Sequence, residues 1–301
     1  MGSFHLHRSQ RVERLVSALG DLLEKPVGGP FDQELVVVPG RGMSVWLSRE
    51  LAKRFGVWAT PLLYPRAFIE RVVAAVLGEA ALGAETLTED LMEWAIHAEL
   101  PRLCDVPEFA DIQRYLEADE RGTRIARLSS KLATVFDQYL TYRPDWVRSF
   151  EGGGTAGVPE DQRFQPLLFR RVTERLRRRH VAHIEEKLLE RLDARVAPAG
   201  LPPRVTLFGL STLPPLFVRV LVALSRHVEV HLFQYWAGAP SGPDETALFG
   251  TLGRLGVEFD RVLGATLAAR GRTAVTYDHG EPPERARLFG CLPTGLEQPA
   301  I

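Results

Sequence analysis

Two histidine pairs stand at spacings that would let both rings reach one ligand. His5 and His7 alternate on a strand-like stretch and so face one side; His180 and His183 lie one helical turn apart. A bound zinc ion needs three or four nitrogen, oxygen or sulfur ligands. Neither pair shows a third in the sequence, because Glu185 and Glu186 fit a solvated helix face, so both pairs read as structural and no metal site is expected. His227 and His231 flank a strand and read as ordinary strand-end residues, and Glu89-Asp90 as a solvated face. A two-metal nuclease would want a lysine near its acids and none is placed that way, and Ser211 lies in no G-x-S-x-G elbow.

The turn Pro39-Gly40-Arg41-Gly42 after a buried strand invites a nucleotide-binding reading. A phosphate loop needs G-x-x-x-x-G-K-[ST], whose amides and lysine hold the phosphates and whose hydroxyl ligates magnesium. None of the four lysines (Lys25, Lys53, Lys131, Lys187) follows a glycine or precedes Ser or Thr. The magnesium-holding acid is missing as well, since the strand Val205 to Phe208 runs into Gly209-Leu210-Ser211-Thr212. ATP hydrolysis by this chain is therefore not expected, and no cofactor is assigned to it. Gly40 and Gly42 read instead as a tight turn that needs unusual backbone angles.

The elements that would position these residues begin with a strand at Phe4-His5-Leu6-His7, with Ser9 placed to cap the next helix. Val12, Leu15, Val16, Leu19, Leu22 and Leu23 mark one face of that helix. Leu35 to Val38 is an unbroken apolar run, as in a strand covered on both faces, and Met43 to Phe55 returns as a helix. From about Phe68 to Leu192 nearly everything has helical period: Val72–Leu77, Thr88–Leu100, Ile125–Leu140, Leu167–Arg179 and His183–Leu192. Strands resume at Val205–Phe208 and Val228–Phe233, with a helix from Pro215 to His227 between them. A weaker stretch comes next, with one helix at Leu248–Ala268. The expected fold is α/β, a parallel-sheet domain carrying a large all-helical insertion. Residues 1–67 would be the first half of the sheet domain, 68–195 the insertion, and 196–301 the second half, incomplete at its C-terminal end.

A net charge of −1 over 301 residues gives no wholesale attraction to nucleic acid. With four lysines among 37 basic residues, the remainder are arginines, which suit phosphate and base-edge contacts. A GC-rich coding sequence explains that bias more simply. No apolar run reaches the length of a membrane span. Cys104 and Cys291 match no ligand or redox spacing, so a cytoplasmic protein is expected.

Four segments are too particular for generic packing: Gly42-Met43-Ser44-Val45-Trp46-Leu47; Phe136-Asp137-Gln138-Tyr139-Leu140, followed by Tyr142-Arg143-Pro144-Asp145-Trp146; Phe208-Gly209-Leu210-Ser211-Thr212-Leu213-Pro214-Pro215; and Leu248 to Gly256. Pro30-Phe31 before Glu34, and Leu51-Ala52-x-x-Phe55-Gly56-Val57, accompany them. In this order and at these separations they resemble the N-terminal region of the RecC family, the gamma chain of exodeoxyribonuclease V. The resemblance covers most of the chain and is weakest in 150–200 and after 235.

The resemblance implies a domain shaped like the first motor of superfamily 1 helicases, with the ATPase chemistry lost. It places Phe4 to Gln10 where a motor has its phosphate loop, and Gly209 to Thr212 where the magnesium-binding acids belong. It further implies RecB-like and RecD-like partners that use ATP and magnesium. The assembly would split double-stranded DNA ends and pass the 3′-ending single strand through a channel that senses Chi. Channel-side candidates carried over are Arg41, Asp137 and Arg143, Arg143 either holding a phosphate or base edge or simply pairing with Asp145 and stacking on Trp146. Pro39 and Val45 replace the polar neighbours of enterobacterial members, which puts recognition of the same Chi octamer in doubt. Members of the family are much longer, so a truncated chain is expected. The alternatives left open are a self-sufficient helicase or nuclease, and a protein-binding scaffold that touches no DNA.

Overall fold

The computed structural model describes residues 2–27, 34–82, 87–117, 119, 121–178, 180–236 and 254–280. The described chain divides into two compact units, one formed by residues 1–76 and 191–301 and the other by 77–190. The expected Leu248–Gly256 segment lies partly, and Pro30-Phe31 and Cys291 wholly, outside the described residues.

The first unit is built on a six-stranded sheet, β1 (Ser3–Ser9), β2 (Leu35–Val37), β3 (Leu62–Leu63), β4 (Arg204–Phe208), β5 (Glu229–Tyr235) and β6 (Ala274–Asp278). Its order is β3-β2-β4-β5-β1-β6 and every pairing is parallel. Parallel strands need crossovers that cover the sheet, so the middle strands lose both faces to the core. Accordingly β2 and β4 are buried at every position. Helices α1 (Val12–Leu23) and α2 (Arg41–Phe55) supply one cover, in which Leu15, Leu19, Leu47 and Leu51 meet Val36, Val38, Phe208 and Phe233.

The expected strands 4–7, 35–38, 205–208 and 228–233 are thus all present. The two edge strands were not foreseen: β3 is only the two residues Leu62 and Leu63, too short for a periodic signal, and β6 is exposed over most of its length. Ser9 does not cap α1; its hydroxyl accepts from Arg11 N at 3.1 Å, just ahead of the helix. At the head of β4, the buried Arg204 guanidinium pairs with Glu34 and donates to the carbonyls of Leu22 and Lys25. A charge taken out of water is tolerated only when its donors are met in this way.

The second unit contains helices and no strand among its described residues: α3 (Pro65–Leu77) leads to it, followed by α4 (Glu89–Leu103), α5 (Ala110–Leu116), α6 (Thr123–Tyr142), α7 (Pro144–Glu151), α8 (Phe164–Leu176) and α9 (Val181–Asp193). Thr88 caps α4 by accepting from Leu91 N, and Pro144 opens α7 at a position whose N–H would have no helical partner. The inward faces of α4, α6, α7 and α8 close one core around Phe109, Phe136, Phe150 and Phe169. Back in the first unit, α10 (Pro215–Leu224) stops three residues short of the expected His227, and α11 (Arg254–Ala269) packs against it through Phe259, Leu263 and Leu267. No described helix is long and apolar enough to cross a membrane.

The reading of Gly40 and Gly42 is corrected. Gly40 is extended at φ 176°, Gly42 lies within α2, and an added Cβ at either meets nothing within 4 Å. The position that needs glycine is Gly209, at φ +71°, where a Cβ would stand 3.0 Å from the Met43 methyl. Gly209→Ala is therefore expected to lower stability by about 1–3 kcal/mol through a strained backbone and a crowded methionine. Gly42→Ala should be neutral or stabilising by up to ~1 kcal/mol, as helix propensity requires. Denaturant unfolding of the two variants checks this, and equal effects would show that the Gly209 turn carries no strain.

Candidate functional site

The motif residues gather at two places, one in each unit. In the first unit, α2 starts directly after β2, so the exposed Arg41 stands at the helix N-terminus beside the C-terminal end of the sheet. Met43 reaches back to the Gly209 turn that ends β4, and Trp46 lies 6.4 Å from the Phe208 ring. Gly209 N in turn donates to Phe233 O at 2.9 Å. Gly42-Met43-x-x-Trp46-Leu47 and Phe208-Gly209 therefore form one packed corner. Ser211 is exposed beyond it and Pro214 half-buried at the entry to α10.

In the second unit, α6 ends at Tyr142 and α7 begins at Pro144, with Arg143 at the corner. Its guanidinium lies 3.9 Å above the Trp146 ring and donates to Asp145 at 3.1 and 3.3 Å. Burial opposes ionisation of Asp145, but Arg143 and backbone N–H groups outweigh it and hold the carboxyl below its ordinary range. Tyr139 packs edge-on against Trp146 at 5.4 Å and donates to Gln165 at 2.8 Å. Phe136 is fully buried, Asp137 half-buried and Gln138 exposed. Of the three candidate DNA-contacting residues, Arg41 thus belongs to one unit and Asp137 and Arg143 to the other.

The histidines are organised more closely than their spacing suggested. His5 and His7 do share a face of β1, and the parallel register sets His231 of β5 beside His5, and Phe233 and Tyr277 beside His7. The rings stack: His5 on His231 at 4.4 Å, His7 on Phe233 at 4.1 Å and on Tyr277 at 4.6 Å. A row of ring nitrogens joins His279 to His7 at 3.1 Å and His7 to His231 at 3.0 Å. His231 is therefore a buried interior residue of β5 and not a strand-end residue. Each neutral ring can donate once and accept once, which such a row requires. Burial is the main reason that His7 is pulled down to about 4 and His231 to about 3, with the neighbouring imidazoles adding to it.

The other pair has the third partner that the sequence did not reveal. Glu151 closes α7 and accepts from His180 at 2.9 Å on one oxygen and from His183 at 2.9 Å on the other. The two rings stack at 3.9 Å. Burial opposes the Glu151 charge, yet the two histidines hold the carboxyl below its ordinary range; burial and His180 lower His183. Glu185, expected to face solvent, is buried and lies 3.8 Å from Arg148, while Glu186 is exposed. Twenty-nine residues separate Glu151 from His180, so no local spacing could have found it.

Comparison with known proteins identifies the family of the chain. The family model described as RecC, N-terminal domain, matches residues 4–239. RecBCD enzyme subunit RecC of Escherichia coli K12 is 34% identical over 238 residues, covering 75% of this chain and 21% of that protein. The same subunit of Mycolicibacterium smegmatis is 32% identical over 249 residues (79% and 21%), and that of Haemophilus influenzae 28% over 267 (77% and 24%). The chain thus spans about a quarter or less of the length of these relatives.

The imidazole row makes an acid-stability prediction. His7 and His231 titrate lower in the folded chain than in the unfolded one, so the unfolded chain binds more protons, and stability is lost as pH falls below ~6.5. Between about pH 5.5 and 4.5 each group should contribute a slope of up to ~1.4 kcal/mol per pH unit. In urea unfolding across that range, the His7→Phe/His231→Phe double variant should lose most of this slope. An unchanged slope would mean that the row is already protonated in the native protein.

Proposed function

The chain belongs to the RecC family, and from that premise we propose that it is a non-catalytic DNA-handling subunit of a RecBCD-type helicase–nuclease. In this role it acts beside RecB-like and RecD-like chains in the cytoplasm on double-strand-break ends, guiding the 3′-ending strand and scanning it for a Chi-like signal. The match over residues 4–239 is the observation that carries the reading. ATP and magnesium would be used by the partners, because neither a phosphate-loop lysine nor a magnesium-holding acid stands in this sequence.

Local geometry supports the loss of motor chemistry. In a helicase-like frame, the end of β1 is where a nucleotide would sit. Here Arg8 pairs with Asp260 and lies 4.5 Å from the Trp236 ring, while Ser9 donates to His279 O at 3.0 Å. In the same frame the helical second unit would be an insertion into the motor domain, and Arg41 of the first unit and Asp137 and Arg143 of the second are the candidate DNA-contacting residues.

A second reading, a protein-binding scaffold without DNA contact, is favoured by one observation: Arg143 is already engaged by Asp145 and Trp146. Salt separates the two. Phosphate contacts release counterions, so binding of a forked duplex should weaken as salt rises. Arg143→Ala and Arg41→Ala should each lower the magnitude of the log–log salt slope, by about 0.9 for a duplex phosphate or 0.7 for a single-strand one. Wild-type slopes in both variants would remove these residues from the DNA path. Co-expression with the RecB-like chain of the same genome tests the assembly: a stable complex is expected. A folded chain that neither associates nor binds the fork would overturn the reading.

A further inference from the structure

We propose that Glu151, His180 and His183 form a binding site for one divalent transition-metal ion of the zinc class. The donor set is two imidazole nitrogens and one carboxylate oxygen, the mixture that borderline ions such as zinc take with an open fourth position. The three residues can offer ligand atoms that all lie within 4.8 Å of one another.

The present contacts are close to what such an ion requires. Bonds of 2.0–2.1 Å at tetrahedral angles put ligand atoms about 3.3 Å apart. The two N···O separations are 2.9 Å, so the donors need to open by only a few tenths of an ångström to admit an ion. One adjustment is larger. The rings are stacked within 20° of parallel, and two parallel lone pairs cannot meet at one ion, so one ring must turn. The His183 side chain is 43% exposed and free of the core on that side, whereas His180 is fully buried. His183 is therefore the ring that turns, and water completes the shell through the same opening.

The surroundings suit the ion. Phe169 meets the His180 ring edge-on at 6.1 Å and walls the buried side. Arg148, whose charge acts on His183, lies 3.8 Å from the buried Glu185 carboxylate, which offsets that charge. The elements joined are the last residue of α7 and the residue before α9 with its first turn, so a bound ion would add a tie between two helix ends already linked by the Arg148–Glu185 pair. The metal-free alternative is a carboxylate shared by two imidazoles as a plain hydrogen-bonded clasp.

The test uses the purified chain stripped with a chelator and titrated with Zn²⁺ against a chromophoric competitor. One equivalent should bind. His183→Ala, at the half-exposed ligand, and Glu151→Gln should each weaken it by at least the roughly 10–100-fold that loss of an outer-shell partner costs. His5→Ala, in the other imidazole group, should leave the affinity unchanged and so excludes binding there. Co²⁺ gives a readout that needs no variant to fold: the wild-type chain should show the visible absorption of a four-coordinate ion. The proposal is overturned if no stoichiometric ion binds, if the Co²⁺ band is absent, or if His183→Ala binds as tightly as the parent.

Discussion

The first unit depends on the pairing of β4 with β2, far from it in sequence, and with β5, the next strand along the chain. It takes β2 on one side and β5 on the other, in parallel and in register over Val205–Leu207 and Arg204–Phe208 respectively. A parallel pair needs a crossover, and the chain between β2 and β4 is long enough to hold a second unit with its own core. Everything from α4 to α8 must therefore leave the sheet and return to it at a fixed register. Arg204 marks the point of return. Its buried guanidinium engages Glu34 just before β2 and the carbonyls that end α1, and a one-residue slip would strand that charge without acceptors.

That register also determines what the sheet's ends can present. Gly209 follows β4 immediately in a left-handed turn, and its missing Cβ leaves room for the end of Met43 from α2. The same logic brings His231 beside His5 and Phe233 beside His7, so that imidazoles occupy sheet positions where apolar residues usually stand. Stacking and a row of ring-to-ring hydrogen bonds make that arrangement tolerable only while the rings are neutral. The Glu151 group is the opposite case. There a carboxylate lies between two imidazoles, so that a negative charge is met by hydrogen-bond donors instead of excluded.

Elements with a repeated apolar signal were legible in the sequence: the buried runs of β2 and β4, and the helical stripes of α1, α4 and α6. What escaped was decided by partners at a distance. β3, two leucines long, and β6, mostly exposed, are defined by the ladder a neighbouring strand offers and not by a periodic pattern of their own. Gly40 and Gly42 look like turn glycines by type, yet the strained position is Gly209, which only the approach of Met43 reveals. His180 and His183 were visible as a pair, but their third partner arrives from another helix. The motifs that carry the family resemblance were legible as unusual strings. Several of their side chains, including Leu47, Phe136, Leu140, Phe208, Leu210 and Leu213, turn out to be core, so the strings are constrained by packing without each residue being a contact.

The corner at Arg143 shows how far such geometry can be pressed. Its ion pair with Asp145 joins two exposed groups, and such pairs contribute only about 0–1 kcal/mol. Stacking on Trp146 adds a comparably small amount at a wet surface. Neither contact is strong enough to withhold the guanidinium from a phosphate, which offers a charge-assisted and potentially bidentate partner in exchange. What the two contacts do supply is order. A long side chain already held in one orientation loses less freedom when it meets a ligand than one that samples solvent. The pairing that first reads as an argument against nucleic-acid contact is thus equally a means of pre-setting it. The deciding quantity is the number of counterions that binding releases.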